Sequence, residues 1–574
     1  MNIQSLPSAR LNLNASRPAL DHTTPSTVNK PAFPSASDKV AKDITHNRYK
    51  IVDTNGDGKI TVAYKFIDLS NPEHAWRKNG GATEFSEGRK KAFRDSIRAW
   101  EDVTKVTFIE NGKGADASIL VHGNPGVGGV ANLPVGDTSS MSIAIGVDEK
   151  GLPLNSSMIH EIGHSLGLEH PQGHYPENNK THTAMSYTTH WLERPDEKGL
   201  RWSASTATPM MGDIAGVQDL YGANHNTRKG NTTYGFNANA GRDYYSLASS
   251  RDLAAFCVWD NGGNDTLDFS GYGQDQNINL NAESLSDVGD RKGNVSIAKG
   301  VVVENAIGGS GHDVLTGNQV GNRMTGDAGG DTLYGGGGAD TFVYNRASDS
   351  PPQNPDMLND FVSGVDKIDL SRVLKDAGIS KPIFTGVLTD QIGTLSGRKG
   401  ELLLDYEKGI NMHRLTLDVS GNNKSVLMIL SKNPIKPNDI LINEGSQLPA
   451  APTRLTGGAG ADKLTGNAGA NIFNYDAISD SPYHNADVLM DFTTGKDKID
   501  LSTLSEKAQV SLNHVKYYTG RIGDTLVEYH PATKKYYLAV DMTGNRRSDF
   551  LIKSLKPINS QDVIGLNRLN DGHG

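Results

Sequence analysis

The 574-residue chain has a single cysteine, Cys257. One thiol has no partner within the chain, so an internal disulfide framework is excluded, and Cys257 reads as a small buried apolar residue. No stretch approaches the ~20 consecutive apolar residues of a membrane span. Positive charge is not in surplus. Lys and Arg number 57 against 66 Asp and Glu, a net charge of −9. That balance argues against a nucleic-acid partner and is compatible with binding cations. Met1 to Asp38 lacks the apolar core of a secretory signal and is rich in Ser, Pro, Asn and Thr, the composition of a disordered leader. On these absences alone the chain reads as cytosolic, and its length calls for several domains rather than one.

Glycine is abundant, at 64 residues, and it is periodic. From about Asp260, Gly and Asp recur every nine residues. Gly308–Val343 divides into GGSGHDVLT, GNQVGNRMT, GDAGGDTLY and GGGGADTFV, and Gly457–Asn474 into GGAGADKLT and GNAGANIFN. The sixth position is Asp313, Asn322, Asp331, Asp340, Asp462 and Asn471; the eighth is Leu315, Met324, Leu333, Phe342, Leu464 and Phe473. In such a repeat the glycines allow tight turns and expose carbonyls, the aspartate supplies a carboxylate, and the apolar residue points inward from a short strand. Stacked turns then offer oxygens to a hard cation, which suits Ca²⁺ with its six to eight oxygen ligands. The candidate calcium residues are Gly308, Gly309, Gly311 and Asp313, Gly326 and Asp331, Gly335, Gly336, Gly338 and Asp340, and Asp462. Asn322 and Asn471 lack the charge, so weaker binding is expected at their turns. A flexible glycine linker would need neither the nine-residue phase nor the apolar eighth position.

A longer duplication follows each run. DSPPQNPDMLNDFVSGVDKIDLS (349–371) matches DSPYHNADVLMDFTTGKDKIDLS (480–502) at 15 of 23 positions. One module is therefore used twice, the second time with fewer nonapeptides.

The N-terminal part is mixed. Ile60, Val62, Tyr64 and Phe66 alternate as a strand does, and Ala92, Phe93, Ile97, Trp100 and Val103 form a helical stripe beginning near Ser86. Strands are expected at 106–109, 117–121 and 141–147, and further helices near Ser156 and Asp213. Asp53-Thr54-Asn55-Gly56-Asp57-Gly58 looks like the start of an EF-hand loop, but position twelve is Tyr64 rather than Glu, and a polar turn is the better reading.

The chemistry is carried by His160-Glu161-Ile162-Gly163-His164-Ser165-Leu166-Gly167-Leu168-Glu169-His170. On a helix His160 and His164 are one turn apart and face the same way, so both can grip one Zn²⁺. Gly167 can take positive φ and end the helix, after which His170 arrives as the third nitrogen ligand. Three protein ligands leave a position open for water, and Glu161 stands ready as its general base. Met185 follows His170 by 15 residues, in Ala184-Met185-Ser186-Tyr187, and resembles the Met-turn of metzincins. Tyr187 can reach the zinc or the substrate oxyanion.

At this point the sequence resembles the serralysin family of metzincin proteases. Asp213-Ile214 through Asp219-Leu220-Tyr221-Gly222-Ala223-Asn224 looks like the family's closing catalytic helix, and TTYGFNANAGRD, WDNGGNDTLDFSGY and KGNVSIAKGVVVENAIGGSGHDVLTGN look like its junction and calcium-binding β-roll. The resemblance covers about 40–445, and the second module looks like an addition. It implies a zinc-dependent endopeptidase acting on protein and peptide substrates, with an extended substrate lying along an edge strand containing Gly129, Val130, Ala131 and Asn132. It also implies a junction calcium cluster of Arg228, Gly230, Thr232, Asp260, Gly262, Gly263, Asp265 and Glu304. Further implications are extracellular secretion through a type I transporter by a C-terminal signal, a proteinaceous inhibitor and a monomeric chain.

The expected architecture is multidomain: a disordered leader (1–38), an α/β (α+β) metzincin catalytic domain (39–240), a parallel calcium-binding β-roll (241–345), a β-rich C-terminal module (346–445), and a short repeat run with the second copy of that module (446–574). The competing reading is a calcium-folded adhesin or toxin module with an inactive protease head, motivated by the duplication; zinc content and casein hydrolysis separate the two.

Overall fold

The computed structural model describes residues 35–125, 128–136, 140–146, 155–188, 206–387, 393–423, 426–443, 446–447, 454–466 and 471–567. Most of the expected leader, 1–34, lies outside them. Its last residues do not continue a leader. Ser35 caps a helix, α1 (Ala36–Ile44), whose Val40 and Ile44 are fully buried.

Five strands, β1 (Ile60–Phe66), β2 (Val106–Glu110), β3 (Ala117–Gly123), β4 (Gly129–Ala131) and β5 (Ser140–Ile145), form one sheet in the order β2-β1-β3-β5-β4. All pairings are parallel except the last, so β4 is an antiparallel edge. Alternation assigns the faces. Val62, Ile119, Val121, Ile143 and Ile145 are buried against the helices, while Lys65, Ser118 and Ser142 point the other way. Helix α2 (Glu87–Glu101) starts at Ser86, whose hydroxyl accepts the Arg89 N–H, and buries Phe93, Ile97 and Trp100. The Trp100 indole donates to the Ile159 carbonyl at 3.2 Å, tying α2 to the next helix, α3 (Asn155–Ser165). Helix α4 (Met211–Tyr221) packs on α1 and closes this unit. The EF-hand-like run is a polar turn: the Asp53 carboxylate is occupied by the N–H groups of Gly56 and Gly58 at 2.7 and 2.8 Å.

Beyond α4 the chain winds alternately between two eight-stranded sheets. Short parallel strands such as Asn305–Ile307, Arg323–Thr325, Thr341–Val343 and Lys367–Asp369 stack on one side, and Val314–Thr316, Thr332–Tyr334 and Asp356–Leu358 on the other. The eighth-position residues Leu315, Met324, Leu333 and Phe342 are buried between the sheets. Two expected boundaries do not coincide with structural breaks. Thr233–Gly235 is already a strand of the roll, ahead of residue 240, and both sheets run without interruption past residue 345 into the first C-terminal module. Burial of a shared core makes roll and module one packed body. A single apolar cluster extends from Val40 to Ile442, and a separate one from Leu455 to Val563 lies in the second copy. No helix among the described residues is long and apolar enough to cross a membrane.

Candidate metal centre and cleft

Helix α3 presents His160 and His164 one turn apart. It ends at Gly167, where φ is +95° and a Cβ would sit 2.0 Å from the Tyr49 carbonyl oxygen, so both conformation and space demand glycine. The reversal brings back His170. The three Nε2 atoms then lie 3.0, 3.1 and 3.0 Å apart. Tetrahedral nitrogen ligands at zinc distance are separated by about 3.3 Å, so one ion can span the triangle.

The opposite ring nitrogens are fixed. His160 Nδ1 donates to the Ala184 carbonyl at 2.8 Å and His164 Nδ1 to the Leu168 carbonyl at 2.7 Å, which turns both Nε2 lone pairs inward. Burial holds the imidazoles neutral, lowering His160 to about 4 and His164 to about 3, with His170 also lowered. Neutral rings with aligned lone pairs are what a zinc ion requires, and the donor set fits it. Among the described residues no other trio of His, Cys, Asp or Glu brings its ligand atoms within 4.8 Å of one another.

Glu161 lies beside the triangle, against the edge strand. A Cβ on Gly129 would come within 2.3 Å of Glu161 Oε1, so glycine in β4 leaves the room this carboxylate occupies. Glu161 is buried, its Oε2 makes no hydrogen bond, and burial raises its pKa to about 7. Met185 is fully buried beneath the helix, and Gly163 admits it: a Cβ there would lie 2.7 Å from the Met185 sulfur. Tyr187 is 73% exposed, with its ring centroid 4.4 Å from that of His170 and 5.5 Å from that of His160.

The Met-turn has a support that the sequence reading passed over. Asp213, fully buried on α4, accepts the Ala184 N–H at 2.7 Å, the Met210 N–H at 2.8 Å and the Thr183 hydroxyl. Its only signal was an aspartate at the start of a helix. In the roll two of the repeat aspartates accept the N–H of the residue 18 positions earlier, Asp331 from Asp313 and Asp340 from Asn322, both at 2.8 Å, while Asp313 accepts from Gln276 at 2.7 Å. Asp356 and Asp366 extend these two ladders, accepting from Asp331 at 2.9 Å and Asp340 at 3.0 Å. In the second copy Asp487 and Asp497 do the same for Asp462 and Asn471, both at 2.8 Å. These four lie outside the nonapeptide phase, but all are among the positions that the duplication keeps.

The first glycine of each repeat covers its own carboxylate. A Cβ on Gly308, Gly326 or Gly335 would lie 2.5, 2.0 or 2.2 Å from an oxygen of Asp313, Asp331 or Asp340. Gly309, Gly311, Gly336 and Gly338 similarly abut neighbouring backbone. At the junction Asp265 is buried among Asp260 and Glu304. Its N–H donates to Glu304 at 2.7 Å, one oxygen accepts from Thr232 at 2.8 Å, and the other makes no hydrogen bond. The Arg228 carbonyl and the Gly230 carbonyl face the same turn, with Gly262 and Gly263 at φ +118° and +145°.

Known proteins agree with this geometry. The family model described as Peptidase M10 serralysin C terminal matches residues 223–442 and 452–564, and one described as Metallo-peptidase family M12B Reprolysin-like matches 81–171. The chain belongs to the serralysin family. It is 39% identical to Metalloprotease AprA of Pseudomonas entomophila (strain L48) over 68% of this chain and 87% of that one. It is 37% identical to Serralysin of Photorhabdus luminescens over 67% and 85%, and 36% identical to Serralysin C of Dickeya chrysanthemi over 70% and 89%. As a serralysin it is a zinc metalloendopeptidase, and both C-terminal copies are recognised as the family's C-terminal region.

Proposed function

We propose that this serralysin hydrolyses extended protein segments laid along β4, with Glu161 as general base. The observation that carries the proposal is the convergence of three Nε2 atoms within 3.1 Å beside an unpartnered, buried carboxylate. When bound by His160, His164 and His170, zinc supplies the Lewis acidity that polarises the scissile carbonyl and lowers the pKa of the attacking water. Glu161 takes that water's proton and passes it to the leaving amine, a transfer matched to its raised pKa. Tyr187, exposed with its ring beside His160 and His170, would donate its hydroxyl to the developing oxyanion. The free edge of β4 offers main-chain hydrogen bonds, which read backbone more than side chains and favour broad specificity.

The roll is proposed to fold on calcium. Support comes from buried carboxylate oxygens of Asp265, Asp331 and Asp356 that make no hydrogen bond, and from the glycine turns that bring carbonyls to them. Such sites fill only at extracellular calcium, roughly 10⁻⁴–10⁻³ M, so the chain would leave the cell unfolded through a type I transporter and fold outside. The decisive experiment compares the native chain with Glu161→Gln for zinc content and casein hydrolysis. The variant should keep one zinc and lose most activity; hydrolysis near the native rate would end the assignment of Glu161.

A further inference from the structure

The outer face of the catalytic sheet, turned away from α2 and α3, carries a cavity of about 550 Å³ whose lining includes Lys65, His74, Arg77 and Lys113 and no carboxylate among the described residues. This is unusual placement in a chain of net charge −9. On helix α2 four of the five cations are neutralised: Lys90, Lys91, Arg94 and Arg98 each pair with Glu or Asp at 2.7–3.2 Å. Lys65, Arg77 and Lys113 have no ion pair among the described residues, and Arg77 instead stacks on Trp76 at 4.8 Å, while Asp68 lies near His74.

The cavity reaches the edge of the sheet. Asn132, just past β4, also lines it, as do Ser140 and Ser142 of β5. Asn132 accepts the Ser142 N–H at 2.9 Å, and its own N–H donates to the Ser142 carbonyl at 3.2 Å, so the edge extends beyond Ala131. Gly129 marks the metal end of that edge, because it abuts Glu161. An extended peptide pairing antiparallel with β4 therefore places the residues preceding its scissile bond beside Ala131 and Asn132. Every second side chain of such a peptide points to the outer face, on the side of Val130 and Asn132.

We propose that this cavity is a subsite for acidic side chains of the substrate, located about three to five residues before the scissile bond. The inference rests on the protease reading above and adds a preference that main-chain pairing alone does not give. Unpaired cations at the rim of a binding edge attract carboxylates and repel Lys and Arg, and their effect is sensitive to salt.

The test uses the full chain and two fluorogenic peptides that differ only in carrying Asp and Glu, or Ser and Gln, at those positions. The native chain should cleave the acidic peptide about three- to tenfold more efficiently, with the ratio shrinking as salt is added. In Arg77→Glu/Lys113→Glu that preference should vanish or reverse while cleavage of the neutral peptide is unchanged. Equal efficiencies in the native chain, or a preference that survives the double substitution, would overturn the subsite. Should neither peptide be cut, the protease reading fails separately. The subsite is then decided by fluorescence anisotropy of the labelled acidic peptide on the Glu161→Gln chain, where unchanged affinity after the double substitution refutes it.

Discussion

A methyl group on Gly129 would sit 2.3 Å from Glu161 Oε1, so the edge strand and the proposed general base share one space. Gly129→Ala must therefore push the carboxylate aside or lift β4 away from α3. Displacements of about 1 Å at a reacting group cost on the order of 10²-fold in rate. We expect kcat/KM to fall by about that factor with zinc content unchanged, since none of the three histidines is touched. Rates and metal analysis on the same sample check this; an unaltered rate would mean that Glu161 has room to spare.

Asp213 reaches the candidate metal centre through a single residue, Ala184. Its carboxylate accepts the Ala184 N–H, and the Ala184 carbonyl accepts from His160 Nδ1. In Asp213→Asn the amide NH₂ either faces the Ala184 and Met210 N–H groups, a buried donor against donors that costs about 1–3 kcal/mol, or faces Thr183 and forces its hydroxyl proton away from the bond it now makes. Loosening a partner of a ligating histidine lowers metal affinity by about 10–100-fold. Competition with a chelator should show that loss in Asp213→Asn, together with a lower melting temperature. Native zinc affinity in the variant would make Asp213 a core residue with no bearing on the centre.

Much of this was legible because periodicity and motif spacing are local. His160, His164, Gly167 and His170 sit on one helix and its turn, so their convergence follows from helical geometry. The nonapeptide phase likewise placed Leu315, Leu333 and Phe342 inside the roll. What was not legible depends on distant chain segments. Asp213 meets Ala184 across 29 residues, and Asp356 meets Asp331 across 25, with no local pattern announcing either contact. The continuity of the sheets across the expected boundary at 345 has a similar cause. A change of sequence pattern at residue 345 does not stop a parallel sheet, which continues wherever the next strand can pair.

Burial also makes the calcium-free roll sensitive to pH. In the roll Asp340 is raised to about 6, and in the second copy Asp487 is raised to about 8, by desolvation and by neighbouring aspartates, from the ordinary 3.8. Between pH 4 and those values the folded, metal-free chain holds protons that the unfolded chain has released. Stability must then fall as pH rises through the window, and is greatest below it. Calcium bound as proposed would reverse the trend by replacing the protons with a cation. In chelator the melting of the roll, followed by circular dichroism, should move down between pH 5 and 8, and millimolar calcium should remove most of that slope. A melting temperature that climbs with pH in chelator would contradict the burial argument.

The second module has a core of its own, from Leu455 to Val563, while the cluster that supports the metal centre ends at Ile442. Among the described residues the strand Ile383–Val387 passes against the strand Arg454–Leu455 of the second copy. Domains with separate cores unfold as separate units. Ending the chain at Gln447 should thus keep casein hydrolysis within about twofold and remove one calorimetric transition while leaving the other within a few degrees. If the shortened chain instead lost activity together with its remaining transition, the second copy would be part of the structural support of the cleft.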